Sequence, residues 1–147
     1  MFKHILVPTD GSELSNETVK RAVTFAQEVG AKLTFFFAKP DYPIAFYGEG
    51  ALIDPTTPEK FAEMAEAQAQ TILTGARQLA TAAGVSADTI SNVNDIPYAA
   101  IIEAANKAGC DLIFMASHGR RGISGLLLGS ETQKVLTHSK IPVLVWR

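Results

Sequence analysis

The chain has little of several things that would have narrowed its role at once. It has one cysteine, Cys110, in 147 residues. No intrachain disulfide can form, and no cysteine-based metal cluster can be built. Such usage suits a reducing compartment. Cys110 lies in an apolar context just ahead of a strand and reads as a small packing residue. Charged residues make up only 19%, the formal net charge is -2, and no basic run is longer than Lys20-Arg21 or Arg120-Arg121. A broad electrostatic footprint for nucleic acid is therefore not expected. Long hydrophobic runs are also missing. In "MFKHILVPTDGS" only three consecutive aliphatics, Ile5 to Val7, follow Lys3 and His4. That is too short for a signal-peptide core. No run approaches the roughly 20 apolar residues of a membrane span. The expectation is a soluble, cytoplasmic protein without a membrane partner.

Catalytic signatures are scarce too. There is no nucleophile elbow and no paired-carboxylate pattern that falls on one surface. His4 and His138 have no partners at metal-ligand spacing. No catalytic residue and no metal ligand is assigned, and a dedicated catalyst is not expected.

What is present fits one domain, residues 1–147, with an apolar fraction of 47% to build its core. "HILVPT" is a short apolar run, followed by the turn residues and helix caps of "DGSELSNE". Val19, Ala22, Val23, Ala26 and Val29 recur at helical spacing until Gly30. "KLTFFFA" is a strand apolar on both faces. Asp41 to Pro58 reads as a long loop, in which Tyr42, Phe46 and Tyr47 either form a lid or shield the core. Thr57 then caps a helix with Pro58 in its first turn. Its apolar stripe is Phe61, Ala65, Ile72, Ala76, Leu79 and Ala83, with Gly75 a weak point in the middle. "ADTISNV" is a more polar strand. A helix opened by Pro97 and closed by Gly109 follows, then the two-sided strand "DLIFMAS". A glycine-rich loop leads to a short helix from about Ser130 to His138, and Pro142 to Trp146 is the last strand. Strands alternating with helices, and apolar on both faces, predict an α/β fold with a parallel sheet covered by helices on both sides. Ligands in such folds bind beyond the carboxyl ends of the strands, where strand order reverses.

Two loops have the chemistry for that position, "PTDGS" and "SHGRRG". The second leads into "ISGLLLGS". Ser130 and Gln133 have the spacing of a capping box, with Ser130 as the cap. Gly129 lets a ligand approach the backbone. A helix N-terminus is a natural anion site. Gly119 and Gly122 allow the loop to fold around a phosphate, and Arg120 and Arg121 add cationic donors. The stretch is neither a Walker A loop nor the dinucleotide fingerprint. On its glycines alone it is either a phosphate cradle or a capped turn.

Taken with "CDLIFMASHGRRGISGLLLGS" and "IPVLVWR", the opening "MFKHILVPTDGS" resembles the universal stress protein family, across essentially the whole chain. The resemblance implies a Rossmann-like sheet of five parallel strands in the order 3-2-1-4-5, similar to the adenine nucleotide alpha hydrolases. It implies two subfamilies, one binding ATP through glycine, two residues, glycine, nine residues, then glycine with Ser or Thr, and one lacking that motif. Gly119 and Gly129-Ser130 match the later parts. The first glycine is replaced by Ala116. If that glycine serves clearance, binding survives. If it needs a left-handed backbone, binding fails. Carried over residue by residue, Asp10 would contact the ribose or adenine end beside Pro8 and Thr9, and Ala38 would offer backbone groups to adenine. Met115 and Ala116 would line the pocket. Gly119, Gly129, Ser130 and Thr132 would surround the phosphates, with His118 and Arg120 nearby. Glu131 stands among them, its charge suited to a helix N-terminus but opposed to a triphosphate if it points inward. The implied cofactor is ATP or another adenine nucleotide, with or without magnesium.

Plainer roles exist for the same residues. Asp10 precedes Gly11 and Ser12 and can simply hold a turn. Three functions stay open: a nucleotide-binding sensor module of the stress response, an interaction protein without nucleotide, and a slow ATP hydrolase. A regulatory protein partner is expected but unnamed. In the implied strand order "PVLVW" is an exposed edge, an aggregation hazard unless paired. Pairing with the same strand of a second copy, through Val143, Val145 and Trp146, gives a two-fold homodimer. A charged residue at Val143 or Val145 should then yield monomers or insoluble protein in size-exclusion chromatography. A soluble, unchanged dimer would count against that contact.

Overall fold

The computed structural model describes residues 1–42, 57–119 and 128–147. Its elements in chain order are β1 (His4–Pro8), α1 (Glu13–Val29), β2 (Lys32–Lys39), α2 (Pro58–Ala82), β3 (Ala87–Val93), α3 (Pro97–Ala108), β4 (Leu112–Ala116), α4 (Ser130–His138) and β5 (Val143–Trp146). The five strands form one sheet in the order β3-β2-β1-β4-β5, and all four pairings are parallel. Strand order therefore reverses between β1 and β4, as the resemblance implied.

Alternation along each strand sorts the core into two layers. Ile5, Val7, Leu33, Phe35, Phe37, Leu112 and Phe114 point to one face and meet α1 and α2. Leu6, Phe36, Ile113 and Met115 point to the other and meet Ala100, Ile101, Ala104 and Ala105 of α3 and Val135 of α4. Phe35 and Phe36 are essentially fully buried. Truncating such a ring to alanine costs about 3–5 kcal/mol. Cys110 joins the second layer, and burial, with Asp111 beside it, pushes its thiol up to about 11.

The helix ends follow local chemistry. Ser12 caps α1 by accepting the Ser15 N–H at 3.2 Å. Gly30 closes it with φ 71°, a left-handed conformation that suits glycine. Thr57 caps α2 by accepting the Lys60 N–H at 3.1 Å. Helix α2 passes Gly75 without a break, and its buried residues are Ala65, Ala69, Leu73, Ala76 and Ala80. The expected stripe is thus partly corrected. Leu79 is 40% exposed, while Ile72 packs only at the margin of the core. Small alanines let the helix lie close on the sheet, so Ala69 and Ala80 take the places expected of larger side chains. Of the aromatics expected over the loop, Tyr42 packs edge-on against Phe61 at 5.5 Å. Phe46 and Tyr47 lie outside the described residues. Among the described residues no helix is long and apolar enough to cross a membrane.

A polar cluster lies at the His4 end of β1, with His4 and Thr34 buried and Asp111 partly exposed. His4 Nε2 shares a 2.7 Å hydrogen bond with Thr34 Oγ1. Asp111 accepts from the backbone N–H groups of Lys3 at 2.9 Å and His4 at 3.0 Å. Burial, reinforced by Lys32, holds the His4 pKa below its ordinary 6.5. Burial alone would raise Asp111, but the His4 and Lys3 N–H groups outweigh it and keep the carboxyl below 3.8. Asp111 therefore stays charged while His4 titrates. The sign for His4 follows from linkage. Below pH 6.5 the unfolded chain takes up a proton at His4 that the folded chain resists, so stability falls with falling pH. Urea unfolding at pH 7.5 and 5.5 should show a lower midpoint at the acidic pH, and His4→Gln should shrink that drop. An equal drop in both proteins would remove His4 as its source.

Candidate functional site

The crevice lies where β1 and β4 end side by side. On the β1 side, Thr9 N–H donates to Phe36 O at 2.8 Å, which ties the strand end to β2. Asp10 follows at the surface of the turn. Its Oδ1 accepts the Ser12 N–H at 2.9 Å, and its own N–H donates to Ser15 Oγ at 3.2 Å. Ser15 Oγ in turn donates to Thr9 Oγ1 at 2.8 Å. Gly11 takes φ 76°, which lets the chain turn back into α1. The plain role for Asp10, holding a turn, is therefore present. Its second oxygen nevertheless points across the crevice: a Cβ placed on Gly119 would stand 2.6 Å from Asp10 Oδ2.

On the β4 side, Ser117 N–H donates to Trp146 O at 2.8 Å and Ser117 O accepts from Gly129 N–H at 2.6 Å. That second bond seats α4 on the end of β4. It also moves the helix start away from the place expected from local spacing. The cap is Gly129, with φ -69° and ψ 158° and no side-chain cap bond. Gln133 N–H donates to Gly129 O at 3.0 Å, the first bond of the helix. Ser130 is thus the first helical residue, exposed at the tip, and the expected capping box is not formed. Gln133 instead donates from Nε2 to Leu128 O at 3.2 Å. The cap position itself has no space for a side chain: a Cβ at position 129 would lie 3.1 Å from His118 Cα and 3.3 Å from Ser117 O. The result is a helix N-terminus with no capping side chain, set against the crevice.

The other expected site residues fall as follows. Ala116 ends β4 opposite Trp146. No described non-glycine residue has positive φ, so the backbone at Ala116 does not demand glycine. Its carbonyl accepts the Thr132 hydroxyl at 3.0 Å. Thr132 is 2% exposed, and its hydroxyl proton is thus committed to the fold. The Met115 side chain is buried in the core layer of α3 and α4, so only its backbone faces the strand end. Pro8 and Ala38 are half-buried at the ends of β1 and β2. His118 Nδ1 shares a 3.2 Å hydrogen bond with Ser117 Oγ. Glu131 turns away from the crevice, and its Oε2 accepts the Tyr98 N–H of α3 at 2.8 Å. Arg120, Arg121 and Gly122 lie outside the described residues. Sequence reasoning missed Ser15 and Ser117, both 3% exposed. Only the spacing of Ser12 and Ser15 after the aspartate hinted at the first. Among the described residues no group of three or more His, Cys, Asp and Glu could hold a metal ion. A shallow groove between α2 and β3, bordered by Gln70, Thr74, Arg77, Gln78, Thr81 and Thr89, shares no residue with the crevice.

A five-stranded parallel sheet with helices on both faces, its strand order reversing between β1 and β4, belongs to the Rossmann-like class of α/β proteins. Within that class the chain belongs to the universal stress protein family, whose model matches residues 1–147. It is 31% identical to universal stress protein MJ0531 of Methanocaldococcus jannaschii over 99% of this chain and 82% of that protein. It superposes on the solved structure of MJ0577, from the same organism, with a TM-score of 0.81 at 27% identity, covering 99% and 95% of the two chains. A universal stress protein solved in complex with cAMP matches with a TM-score of 0.71 at 28% identity, covering 99% and 97%.

The two glycines differ in what they clear. At Gly129 the neighbour is backbone, so Gly129→Ala should destabilise by about 1–3 kcal/mol. At Gly119 the neighbour is the far end of the Asp10 side chain, which can shift at the expense of its bond to Ser12 N–H, so Gly119→Ala should cost less, about 0.5–1 kcal/mol. Thermal denaturation of the two variants checks the ordering. Equal losses would contradict the assigned clearances.

Proposed function

We propose that the protein is an adenine-nucleotide-binding regulatory module that works as a homodimer in the stress response. The observation that carries this reading is the first turn of α4. It has no capping side chain, and it abuts a strand end where backbone leaves no room for a Cβ at Gly129 and the Asp10 carboxylate stands close to Gly119. Backbone N–H groups at a helix start, with a partial positive charge behind them, favour a phosphate. Support comes from the cAMP complex of a protein 28% identical to this one. It also comes from Ala116, whose backbone removes the conformational objection to the missing first glycine.

In this reading the residues divide the ligand between them. Ser130, Glu131 and Thr132 present backbone N–H groups to the phosphates, and Ser130 adds its exposed hydroxyl. Gly119 keeps the loop close. Asp10, fixed by Ser12 N–H, accepts from the ribose hydroxyls. The ends of β1 and β2, at Pro8, Thr9 and Ala38, flank the base. A magnesium ion would be held mainly by phosphate oxygens and water, with Asp10 the carboxylate at hand. Dimer formation would use β5, one of the two edges of the sheet. Its side chains are half-buried, and Trp146 is covered on one side by the Arg21 guanidinium at 5.1 Å.

Heating freshly purified protein and analysing the released small molecules by mass spectrometry tests the reading. Near-stoichiometric adenine nucleotide is expected, and Asp10→Ala should release much less. No nucleotide, together with no heat of binding at millimolar ATP and magnesium, would make the stretch a structural turn. The protein would then be an interaction module without nucleotide.

A further inference from the structure

Glu131 stands one residue inside α4, where its charge would oppose an anionic ligand. Yet the carboxylate is anchored elsewhere. Helix α3 begins with Pro97, which has no N–H, and Ile96 before it supplies no side-chain cap. The Tyr98 N–H at the start of α3 is therefore in need of an acceptor. Glu131 Oε2 meets it at 2.8 Å. The other carboxylate oxygen is 3.4 Å from Lys134 Nζ. Lys134 also lies 5.6 Å from the centre of the Tyr98 ring, and the His138 ring stands 5.3 Å away on the same tyrosine. Three residues of α4, at 131, 134 and 138, thus close on one residue of α3, and Glu131 is the cap that α3 lacks.

Resting on the nucleotide reading above, we propose that Glu131 is a positioning residue for phosphate binding. By capping α3 it fixes the start of α4 against Ser117 and draws its own charge out of the crevice. Two consequences separate this from a merely structural contact. The effect is confined to ligands that carry phosphate, because only the phosphates meet the start of α4. Glutamine and alanine at position 131 also differ, because glutamine keeps an acceptor for Tyr98 N–H and alanine does not.

The test is calorimetric titration of the nucleotide-free full chain, as wild type, Glu131→Gln and Glu131→Ala, with ATP and with adenosine. Amide hydrogen exchange at Tyr98 is followed without ligand. Glu131→Gln should bind ATP as tightly as wild type or a few-fold tighter. Glu131→Ala should bind ATP several-fold more weakly than Glu131→Gln. Adenosine affinity should be the same in all three. Tyr98 exchange should quicken in Glu131→Ala only. Equal ATP affinity in the two variants, or a parallel loss of adenosine affinity, would overturn the positioning role. Unchanged Tyr98 exchange in Glu131→Ala would overturn the cap itself. A wild type that binds neither ligand would overturn the nucleotide reading and the positioning role with it, even if the exchange data uphold the cap.

Discussion

The structure depends on the central place of β1. His4 to Val7 are buried throughout, with β2 on one side and β4 on the other. A parallel strand in that position must have helices on both faces, because each face carries apolar side chains and each connection must cross over the sheet. From β1 the chain passes through α1 to β2 and on to β3 on one side, and α3 then carries it back across the sheet to β4 on the other side of β1. The helices that follow therefore part above the junction of β1 and β4, which opens a crevice there. Among the described residues it is flanked by the turn after β1, by Ser117 to Gly119 and by the start of α4. Nothing in the site requires a special side chain to create the opening, since the topology creates it.

What the local sequence adds is control of shape and charge at that opening. The hydroxyls of Ser15 and Thr9 hold the turn that carries Asp10. The Ser117–Gly129 backbone bond brings α4 down onto β4. Glycine is required at position 129 because the approach is between backbones. The same arrangement accounts for an uncapped helix start in a folded protein: the residue that would hold the cap has no space for a side chain. Bare N–H groups there are costly only if they face neither water nor ligand, and the exposed Ser130 leaves the helix tip open to solvent.

Much of this was legible in the sequence, and the rest failed for identifiable reasons. Two-sided strands such as "KLTFFFA" and the closing glycines Gly30 and Gly109 are short-range signals, and the structure places both as expected. Strand order was not legible from periodicity and came from the resemblance. The buried face of α2 was blurred because alanine is compatible with either side of a helix, so Ala69 and Ala80 gave no contrast. The cap of α4 was misplaced because a long-range hydrogen bond overrode a local spacing. The direction of Glu131 was hidden for the same reason, since its partner Tyr98 lies 33 residues away.

In the proposed function adenine nucleotide binds at the reversal point of the sheet. Mapping amide chemical shifts of the full chain during titration with ATP tests it most directly. Binding there should give changes concentrated at Thr9, Asp10, Ser117 to Gly119 and Ser130 to Thr132, with the α2–β3 groove around Arg77 unaffected. Changes that gather at that groove, or none at the crevice at saturating ATP, would contradict it.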